Sequence, residues 1–436
     1  MHFLNSLIKI LIIVFVCCPY YVLAGNRLYV TNMGDNSVSV IDTNTNRVIQ
    51  TINVLNSPIG ITSSKDGKRV YVANSESDTS NYSVSVIDTV SNLVINNIKV
   101  GEAPTHLAIN KDGTELYVTN YDEDTISLID TNTNKIIKTI QTGRSPDELI
   151  FSPDESLVYI LNSFSGSVGV LDTSTKSIIK EFFVPGKPHS IAIHPSGSPA
   201  YITNLDYISV IETSSNSLNY TFTAGDWPSA IAIHPTGNPL YVVNRFSRDI
   251  SVIDTNTYLI EESIMVGKTP SAITLNPTSS NLYVTNLNDD TVSVINLENY
   301  SVIATINVGH KPSDIIYVDT GLKGISGTVK TSFSEYNELN VINASVYLKS
   351  SKGIIYQSYT DQNGNFIFED AEPGNYTLTI NAKDLVPISK EVILNDELEF
   401  VPLYIKMALY EKGDANGNGI MGIDDVISIL EKISGK

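Results

Sequence analysis

The chain has 436 residues, enough for two or three domains whose cores need no disulfide or metal to hold them together. Its 47 acidic residues outnumber its 28 lysines and arginines, which gives a formal net charge of −19. This excess of negative charge argues against a nucleic-acid partner, because phosphate groups require basic residues. It favours a soluble protein outside the cell and is compatible with calcium.

The first 24 residues are typical of a secretory signal peptide. A short apolar run from Ile10 to Cys18 follows a basic residue, and Val22-Leu23-Ala24 provides the small residues of a cleavage site. The apolar run is shorter than a membrane helix requires, and no later segment is apolar enough to span a bilayer. The only cysteines, Cys17 and Cys18, leave a lipid anchor open, although the residues before them do not form a lipobox. We therefore expect an extracellular or cell-surface protein, without a transmembrane segment in the mature chain that begins at Gly25.

A five-residue motif with a central tyrosine recurs seven times. The tyrosines are 40 to 46 residues apart, which is the length of four short strands and their turns. The motif itself is rich in β-branched residues and predicts one strand; two further strands and a Gly-x-x-Pro link to a fourth short strand follow it. The seven copies are Leu28-Tyr29-Val30-Thr31-Asn32, Val70-Tyr71-Val72-Ala73-Asn74, Leu116-Tyr117-Val118-Thr119-Asn120, Val158-Tyr159-Ile160-Leu161-Asn162, Ala200-Tyr201-Ile202-Thr203-Asn204, Leu240-Tyr241-Val242-Val243-Asn244 and Leu282-Tyr283-Val284-Thr285-Asn286.

The phase of the repeat predicts how a ring of such units closes. The first unit begins with its tyrosine strand and lacks the short strand that should precede it. The last unit is followed by a spare strand, Asp314 to Val318. Pairing of this spare strand with the first tyrosine strand would remove exposed sheet edges and complete seven blades over about residues 27 to 319.

The seven motifs resemble the YVTN β-propeller repeat family, which is known from surface-layer and other extracellular proteins. The resemblance covers every repeat and implies an all-β chain with a seven-bladed propeller over residues 25–320. It is specific for the fold and says little about function, because propellers have many activities. The recurring asparagines, such as Asn32 and Asn74, are predicted to have a structural role in Asx turns at strand ends.

A second β-domain is predicted over residues 321–408. Its strands alternate apolar and polar residues, and a Pro-Gly turn lies between two of them. The run from Thr360 to Ile380 resembles the carboxypeptidase regulatory-like domain, a β-sandwich of the transthyretin type. In extracellular proteins such domains are spacers or adhesive modules, and nothing in this segment indicates catalysis.

Residues 409–436 contain a twelve-residue loop whose oxygen-bearing residues occupy the positions that bind Ca²⁺ in an EF-hand. The predicted metal ligands are Asp414, Asn416, Asn418, the backbone carbonyl of Ile420, and Asp425. An Asp at the last position, with no helix before the loop and a short amphipathic helix after it, resembles a dockerin repeat. That resemblance implies Ca²⁺ and a cohesin-like partner. Dockerins carry two such repeats and this chain has one, so a loop that serves only as a polar tail stays an alternative.

The position two residues after the proline of each link is predicted to line the central channel. In ring order it carries Gly60, His106, Glu148, Ser190, Ala230, Ala272 and Asp314. Asp147 and His189 lie one residue before this position, so the polar residues converge at one mouth. Three interpretations stay open there: a metal site, a general acid and base pair, or a solvated channel mouth. Trp227 is expected on the same face, where it either stacks on a sugar or peptide or packs against a neighbouring blade.

The order of the modules predicts a secreted or cell-surface binding or scaffold protein without enzymatic activity. Its propeller would recognise an extracellular protein or a cell-surface glycan, and its last module would dock in a calcium-dependent manner. One alternative is a propeller hydrolase resembling a lactonase, with His106 and Glu148 in the channel. The other is a structural component of a surface layer.

Overall fold

The computed structural model describes residues 26–75, 82–320, 324–331, 340–351, 353–360, 364–369, 374–383, 385, 387–394 and 400–407. All regular secondary structure within these ranges is β-strand, which confirms the expected all-β fold. They contain no helix that is long and apolar enough to cross a membrane. The signal sequence, the calcium loop and the helix expected after it lie outside the described residues. The described residues divide into two compact units, one within Gly25–Gly321 and the other within Leu322–Lys436.

The larger unit is made of seven antiparallel sheets with four strands each. The innermost strands contact one another in a closed ring. The strands are β1 (Asn26–Asn32), β2 (Ser37–Asp42), β3 (Arg47–Asn53), β4 (Pro58–Ser63), β5 (Arg69–Asn74), β6 (Ser83–Asp88), β7 (Leu93–Lys99), β8 (Pro104–Ile109), β9 (Glu115–Asn120), β10 (Thr125–Asp130), β11 (Lys135–Gln141), β12 (Pro146–Phe151), β13 (Leu157–Asn162), β14 (Ser167–Asp172), β15 (Ser177–Phe183), β16 (Ser190–Ile193), β17 (Ala200–Thr203), β18 (Ile208–Glu212), β19 (Ser217–Phe222), β20 (Pro228–Ile233), β21 (Leu240–Asn244), β22 (Asp249–Ile253), β23 (Ile260–Met265), β24 (Pro270–Leu275), β25 (Asn281–Asn286), β26 (Thr291–Asn296), β27 (Ser301–Asn307) and β28 (Pro312–Asp319).

The ring closes as the sequence predicts. Strand β28 pairs antiparallel with β1, which places Ile315 opposite Val30 and Tyr317 opposite Leu28. Blade 1 therefore contains β28, β1, β2 and β3 from inside to outside, and blades 2 to 7 contain four consecutive strands each, from β4–β7 to β24–β27. The two ends of the propeller sequence are joined in one sheet, so no blade is left incomplete.

The motif strands are buried on both faces, because each blade is covered by its two neighbours. In β1, every residue from Arg27 to Asn32 is buried, and the tyrosines of six motifs are among the largest side chains with almost no exposure. Burial on both sides explains why these strands are nearly continuous apolar runs rather than alternating ones. The blades pack through these residues and through the apolar residues of the strands that flank them.

The recurring asparagine has a structural role, but the Asx turn predicted for it is wrong. Asn32 is fully buried, and its Nδ2 donates to the hydroxyls of Ser37 and Ser39 at 3.0 and 2.9 Å. The strand that ends at Asn32 is covered on both faces. The side-chain amide of Asn32 therefore forms hydrogen bonds within its own blade and does not form a turn. The Asx turns belong to the aspartates of the next strand; Oδ1 of Asp42 accepts from the N–H of Thr45 at 2.7 Å.

The smaller unit contains two sheets, in the strand orders β32-β29-β35 and β31-β30-β33-β34. A single apolar core joins them; Val329 and Phe366 of one sheet and Val346 and Leu378 of the other belong to it. Two sheets that face each other across a shared core form a β-sandwich. The strands are β29 (Gly324–Thr331), β30 (Ser345–Ser350), β31 (Ile355–Tyr359), β32 (Asn365–Glu369), β33 (Gly374–Asn381), β34 (Ile388–Leu394) and β35 (Phe400–Met407).

Candidate functional site

A cavity of about 230 Å³ lies at the centre of the ring, where the innermost strands begin. Each of the seven innermost strands contributes to it the two residues that follow its proline. In ring order from blade 1 these pairs are Ser313-Asp314, Ile59-Gly60, Thr105-His106, Asp147-Glu148, His189-Ser190, Ser229-Ala230 and Ser271-Ala272. Ile231, Arg245 and Ile273 complete the lining. Five of the six channel residues singled out in the sequence therefore meet at one cavity.

The first residue of each pair usually joins neighbouring blades. In four blades it is a Ser or Thr whose hydroxyl donates to the proline carbonyl at the start of the next innermost strand. These bonds are Thr105 to Pro146 at 3.4 Å, Ser229 to Pro270 at 3.2 Å, Ser271 to Pro312 at 3.1 Å and Ser313 to Pro58 at 2.9 Å. A hydroxyl at this position thus has a structural role that is repeated around the ring.

Blades 4 and 5 depart from this pattern. Asp147 and His189 occupy the position of the hydroxyl residue, and they pair with each other across the boundary between the two blades. Nδ1 of His189 lies 2.8 Å from Oδ2 of Asp147. Ser163 donates to the same oxygen at 3.1 Å and so helps to orient the carboxylate. The His189 side chain is 47% exposed, against 20% for Asp147, so the imidazole is the member of the pair that a ligand can reach.

The electrostatic surroundings separate the proton affinities of the two histidines. Burial opposes the charged form of His189, but the hydrogen bond and the negative charge of Asp147 outweigh it and raise the pKa of His189. His106 has no such partner. Burial lowers its pKa to about 4, so its imidazole is neutral at pH 7, and its Nδ1 is buried without a hydrogen-bond partner among the described residues. An unsatisfied buried nitrogen at a cavity is a contact that a ligand can complete.

Glu148 is the acid of the cavity. Burial raises its pKa to about 8, against the opposing effect of the backbone N–H of Ile191, which donates to Oε1 at 3.2 Å. Its carboxyl group is therefore mostly protonated at pH 7. It lies beside the pair of Asp147 and His189, in which Asp147 raises the pKa of the imidazole. Two neighbouring titratable groups with shifted pKa values at a cavity are candidates for an acid and a base that act together.

Asp314, on blade 1, makes the equivalent contact to the next blade. Its Oδ2 accepts from the N–H of Ile61 at 3.0 Å, and burial raises its pKa to about 6. Its neighbours at the cavity are small or apolar, among them Ile59, Gly60 and Ala272. The cavity thus has most of its ionisable residues on blades 3 to 6, while small or apolar residues surround Asp314 on blade 1.

Arg245 is a site residue that the sequence did not reveal. It follows the asparagine of the sixth motif, on the loop after β21, and lines the cavity. Its guanidinium makes no hydrogen bond or ion pair with any described residue, yet its positive charge acts on the pKa of His189. Ser163 occupies the same position in blade 4 and reaches Asp147. The sequence signal that could have identified Arg245 is the residue after each motif asparagine, because this residue is charged in blade 6 and polar in blade 4.

The structure does not bring Trp227 to this cavity. Its ring packs edge-on against Phe246 of its own blade, with 4.8 Å between the ring centroids. Its backbone has a left-handed φ of 57°, a conformation that Ser57, Ala103 and Thr269 share at the same place before the proline. The residue therefore occupies a repeated turn on the rim of the propeller.

Among the described residues, no three His, Cys, Asp or Glu side chains converge where they could hold a metal ion. The five residues predicted to bind Ca²⁺, Asp414, Asn416, Asn418, Ile420 and Asp425, lie outside the described ranges.

A larger cavity, of about 550 Å³, lies on the opposite side of the ring between the turns of blades 2 and 3. Its lining consists of turn residues, among them Asp66 and Lys68. Partial burial opposes the charge of Asp66, but hydrogen bonds from Ser64 and Lys68 hold its pKa below the usual range. These contacts maintain the turn, and the cavity contains no acid and base pair like that of the channel.

Comparison with known proteins points to propeller enzymes. A family model described as lactonase, 7-bladed beta-propeller, matches residues 137–303, and one described as cytochrome D1 heme domain matches residues 13–152. The first match includes Asp147, Glu148, His189 and Arg245. A comparison with curated proteins found no match.

Several solved structures have the same fold. A putative 6-phosphogluconolactonase from Bacteroides uniformis is 17% identical, with a TM-score of 0.58, over 67% of this chain and 99% of that one. Hydrazine synthase from Kuenenia stuttgartiensis is 21% identical, with a TM-score of 0.58, over 62% and 92%. The dihydro-heme d1 dehydrogenase NirN, in complex with DHE, is 16% identical, with a TM-score of 0.53, over 69% and 77%. The chain is a seven-bladed β-propeller.

These findings overturn two predictions from the sequence. The interpretation as a calcium-docking scaffold is wrong, and so is the expectation that the protein is not an enzyme, because the matches point to lactonase-like and heme-containing propeller enzymes. Both predictions relied on the order of the modules, whereas the polar residues of the channel occupy the few positions where the repeat is broken.

Proposed function

We propose that the propeller is a lactonase-like hydrolase that opens a small cyclic ester in the central cavity. The observation that carries this proposal is the replacement of two structural hydroxyls by the pair of Asp147 and His189, beside the protonated carboxyl of Glu148. The family match over residues 137–303 supports it, because that match covers both groups. The size of the cavity, about 230 Å³, favours a small substrate such as a sugar lactone, since pockets for drug-sized ligands have about 300–1,000 Å³.

The first step requires a base. His189, held through Nδ1 by Asp147, accepts a proton from water through its other ring nitrogen, and the water oxygen forms a bond to the carbonyl carbon of the lactone. Asp147 remains ionised and stabilises the imidazolium that results. Ser163 positions Asp147 by its hydrogen bond of 3.1 Å.

The second step requires an acid. When the bond between the carbonyl carbon and the ring oxygen breaks, that oxygen needs a proton. Glu148 supplies it, because burial keeps its carboxyl protonated at pH 7. The proton taken up by His189 then returns to Glu148, and the product is the open hydroxy acid. One water is consumed, and no oxidant or reductant is needed.

Arg245 is the group that binds negative charge in the cavity. Its guanidinium has no partner among the described residues and is therefore available to a carbonyl oxygen that becomes negative or to an anionic substituent of the lactone. His106, which is neutral and has a buried, unsatisfied Nδ1, forms a hydrogen bond to a substrate hydroxyl. The small side chains of Ala230 and Ala272, on blades 6 and 7, leave the space that the ring of the substrate occupies.

A tetrapyrrole does not fit this cavity. The match to a heme domain and the likeness to NirN raise the question of whether this chain binds a heme. A planar macrocycle is larger than a drug-sized ligand, whereas the cavity is smaller than the pockets that hold such ligands. No step of the proposed reaction involves heme.

The remaining predictions stay predictions; those on the signal sequence and the calcium loop concern residues outside the described ranges. They are secretion through residues 1–24, Ca²⁺ on the loop from Asp414 to Asp425, the dockerin-like relation of that loop with a cohesin-like partner, and the carboxypeptidase regulatory-like relation of residues 321–408. The expectations of a protein or glycan partner and of an extracellular or cell-surface location also remain untested. Calorimetric titration of the purified chain with CaCl₂, against an Asp414→Ala variant, tests the metal prediction alone.

The activity is tested by incubating the purified protein with a set of sugar lactones and simple lactones, and recording acid release at constant pH. Release above the uncatalysed rate that disappears in His189→Ala is the expected result. Ser271→Ala, which removes a hydroxyl at the equivalent position of blade 7, is the matched control and should keep the activity. Absence of catalysed release for every lactone, or equal rates in His189→Ala, would overturn the proposal.

A further inference from the structure

The last strand of each blade forms the outer edge of the ring and pairs with one strand only, within the described residues. Such edges normally carry charged side chains and few apolar ones, because an exposed apolar edge promotes association. Here they carry many exposed apolar side chains. Ile137 on β11 is 51% exposed. Leu259, just before β23, is 67% exposed, and Ile260, on β23, is 46% exposed.

Two of these edges have opposite charges. Strand β11 of blade 3 has the sequence KIIKTIQ, with Lys135 and Lys138 beside the exposed isoleucines. Strand β23 of blade 6 has the sequence IEESIM, with Glu261 and Glu262. Lys138 donates to the backbone oxygen of Lys176 at 2.6 Å, whereas the described residues offer Lys135 no hydrogen-bond or ion-pair partner. Each edge thus combines a pair of like charges with apolar surface.

The arrangement of the ring places the two edges far apart. Blades 3 and 6 are separated by three blade positions in a ring of seven, so the edges face away from each other on nearly opposite sides. Each strand also has a β-bulge, where Ile137 and Glu261 have no partner in the register of their own sheet. A bulge disfavours continuation of the hydrogen-bond ladder into another sheet, so contact through these edges depends on side chains.

We propose that the outer edge of blade 3 in one copy binds the outer edge of blade 6 in a second copy of this chain. With a net charge of −19, copies repel each other in most orientations. The contact of Lys135 and Lys138 with Glu261 and Glu262 replaces that repulsion by attraction and covers the exposed isoleucines. Because the two edges are different surfaces on opposite sides, association is head to tail and forms open chains rather than closed dimers. Strands of six or seven residues bury little area, so the association is weak and depends on concentration.

The test uses sedimentation velocity of the full chain over a range of concentrations at low salt. The expected result for the wild type is a weight-average mass that rises at least about twofold with concentration. The variant with Lys135→Glu and Lys138→Glu has two acidic edges and should stay monomeric. The variant with Glu261→Lys and Glu262→Lys has two basic edges and should stay monomeric as well. An equimolar mixture of the two should associate again, because every contact then joins an acidic edge to a basic one.

The control removes positive charge from other outer edges, with Arg47→Glu on blade 1 and Lys99→Glu on blade 2. It should associate like the wild type, and the thermal unfolding of all variants should match, which shows that they are folded. A wild type that is monomeric at every concentration overturns the proposal. So does association of the mixture no stronger than that of either variant alone, or loss of association in the control. The inference does not depend on the proposed hydrolase activity.

Discussion

His189 on blade 5 and Asp147 on blade 4 are joined by a hydrogen bond of 2.8 Å between Nδ1 and Oδ2. In four other blades the same position carries a hydroxyl that bonds to a backbone carbonyl of the next blade. A contact that joins blades elsewhere through a hydroxyl thus becomes a contact between two ionisable side chains. The backbone of blade 5 differs there as well, since its innermost strand begins at Ser190, whereas the innermost strands of the other six blades begin at the proline.

The pH profile of lactone hydrolysis should be a narrow bell. The rate rises as His189 loses its proton, through a pKa that Asp147 raises above the ordinary 6.5. It falls as Glu148 loses its proton, through a pKa of about 8 that burial causes. The maximum therefore lies between these values. Initial rates between pH 5 and 10 check the profile, and Glu148→Gln, which has no proton to lose, should be slower and lack the alkaline limb. An unchanged alkaline limb in that variant contradicts the role of Glu148.

Stability should also depend on Glu148. A carboxyl group whose pKa is raised by folding binds more protons in the folded than in the unfolded chain, so the free energy of unfolding decreases as pH rises toward that pKa. Relative to Glu148→Gln, the wild type should lose about 2–3 kcal/mol of stability between pH 6 and 9. Denaturant unfolding of both proteins at the two pH values measures the difference. Parallel curves with a constant offset would show that the carboxyl does not titrate in this range.

The sequence predicts the fold well because the fold repeats. The motif period defines the blades, and the missing strand before Asn26 together with the spare strand around Ile315 predicts the closure that the structure contains. His106 and Glu148 emerge by comparing equivalent positions. Arg245 does not, since it lies on the loop after β21, and the antiparallel pairing that places Asn244 opposite Pro228 brings that loop to the channel.

Arg245 should determine which lactones bind. A guanidinium bonded to an anion contributes about 1.5–3 kcal/mol, which corresponds to about 10–100-fold in affinity. Arg245→Gln should therefore raise KM for a lactone with an anionic substituent by that factor and change KM for a neutral analogue much less. Steady-state kinetics with the two substrates measure both effects. If kcat decreases equally for both substrates with little change in KM, Arg245 instead stabilises the negative carbonyl oxygen in the transition state.

The repeated tyrosines should differ in their contribution to stability. The hydroxyl of Tyr29 donates to Oδ1 of Asn92 in the next blade at 2.7 Å, whereas that of Tyr241 makes no hydrogen bond to the described residues. Tyr29→Phe leaves Asn92, which is also buried, without this donor and should cost about 1–3 kcal/mol. Tyr241→Phe, at the equivalent position of blade 6, should be nearly neutral. Thermal unfolding of both variants makes the comparison, and equal losses would mean that the inter-blade bond contributes nothing.

Replacing Asp147 and His189 with the hydroxyl residue of the other blades tests whether the pair contributes to catalysis or to folding. The double variant Asp147→Ser with His189→Ser gives blades 4 and 5 the hydroxyl that blades 1, 6 and 7 have at this position. Each new hydroxyl can bond to the next proline carbonyl, as Ser313 does to Pro58 at 2.9 Å, so the variant should unfold at the same temperature as the wild type or higher. It also removes the base, and kcat/KM should decrease by about 10²–10⁴-fold. If Asp147 and His189 form a functional pair in place of a structural contact, the variant should retain its stability and lose its activity. A variant that loses both would show that Asp147 and His189 hold the blades together, and a variant that keeps both would exclude them from the reaction.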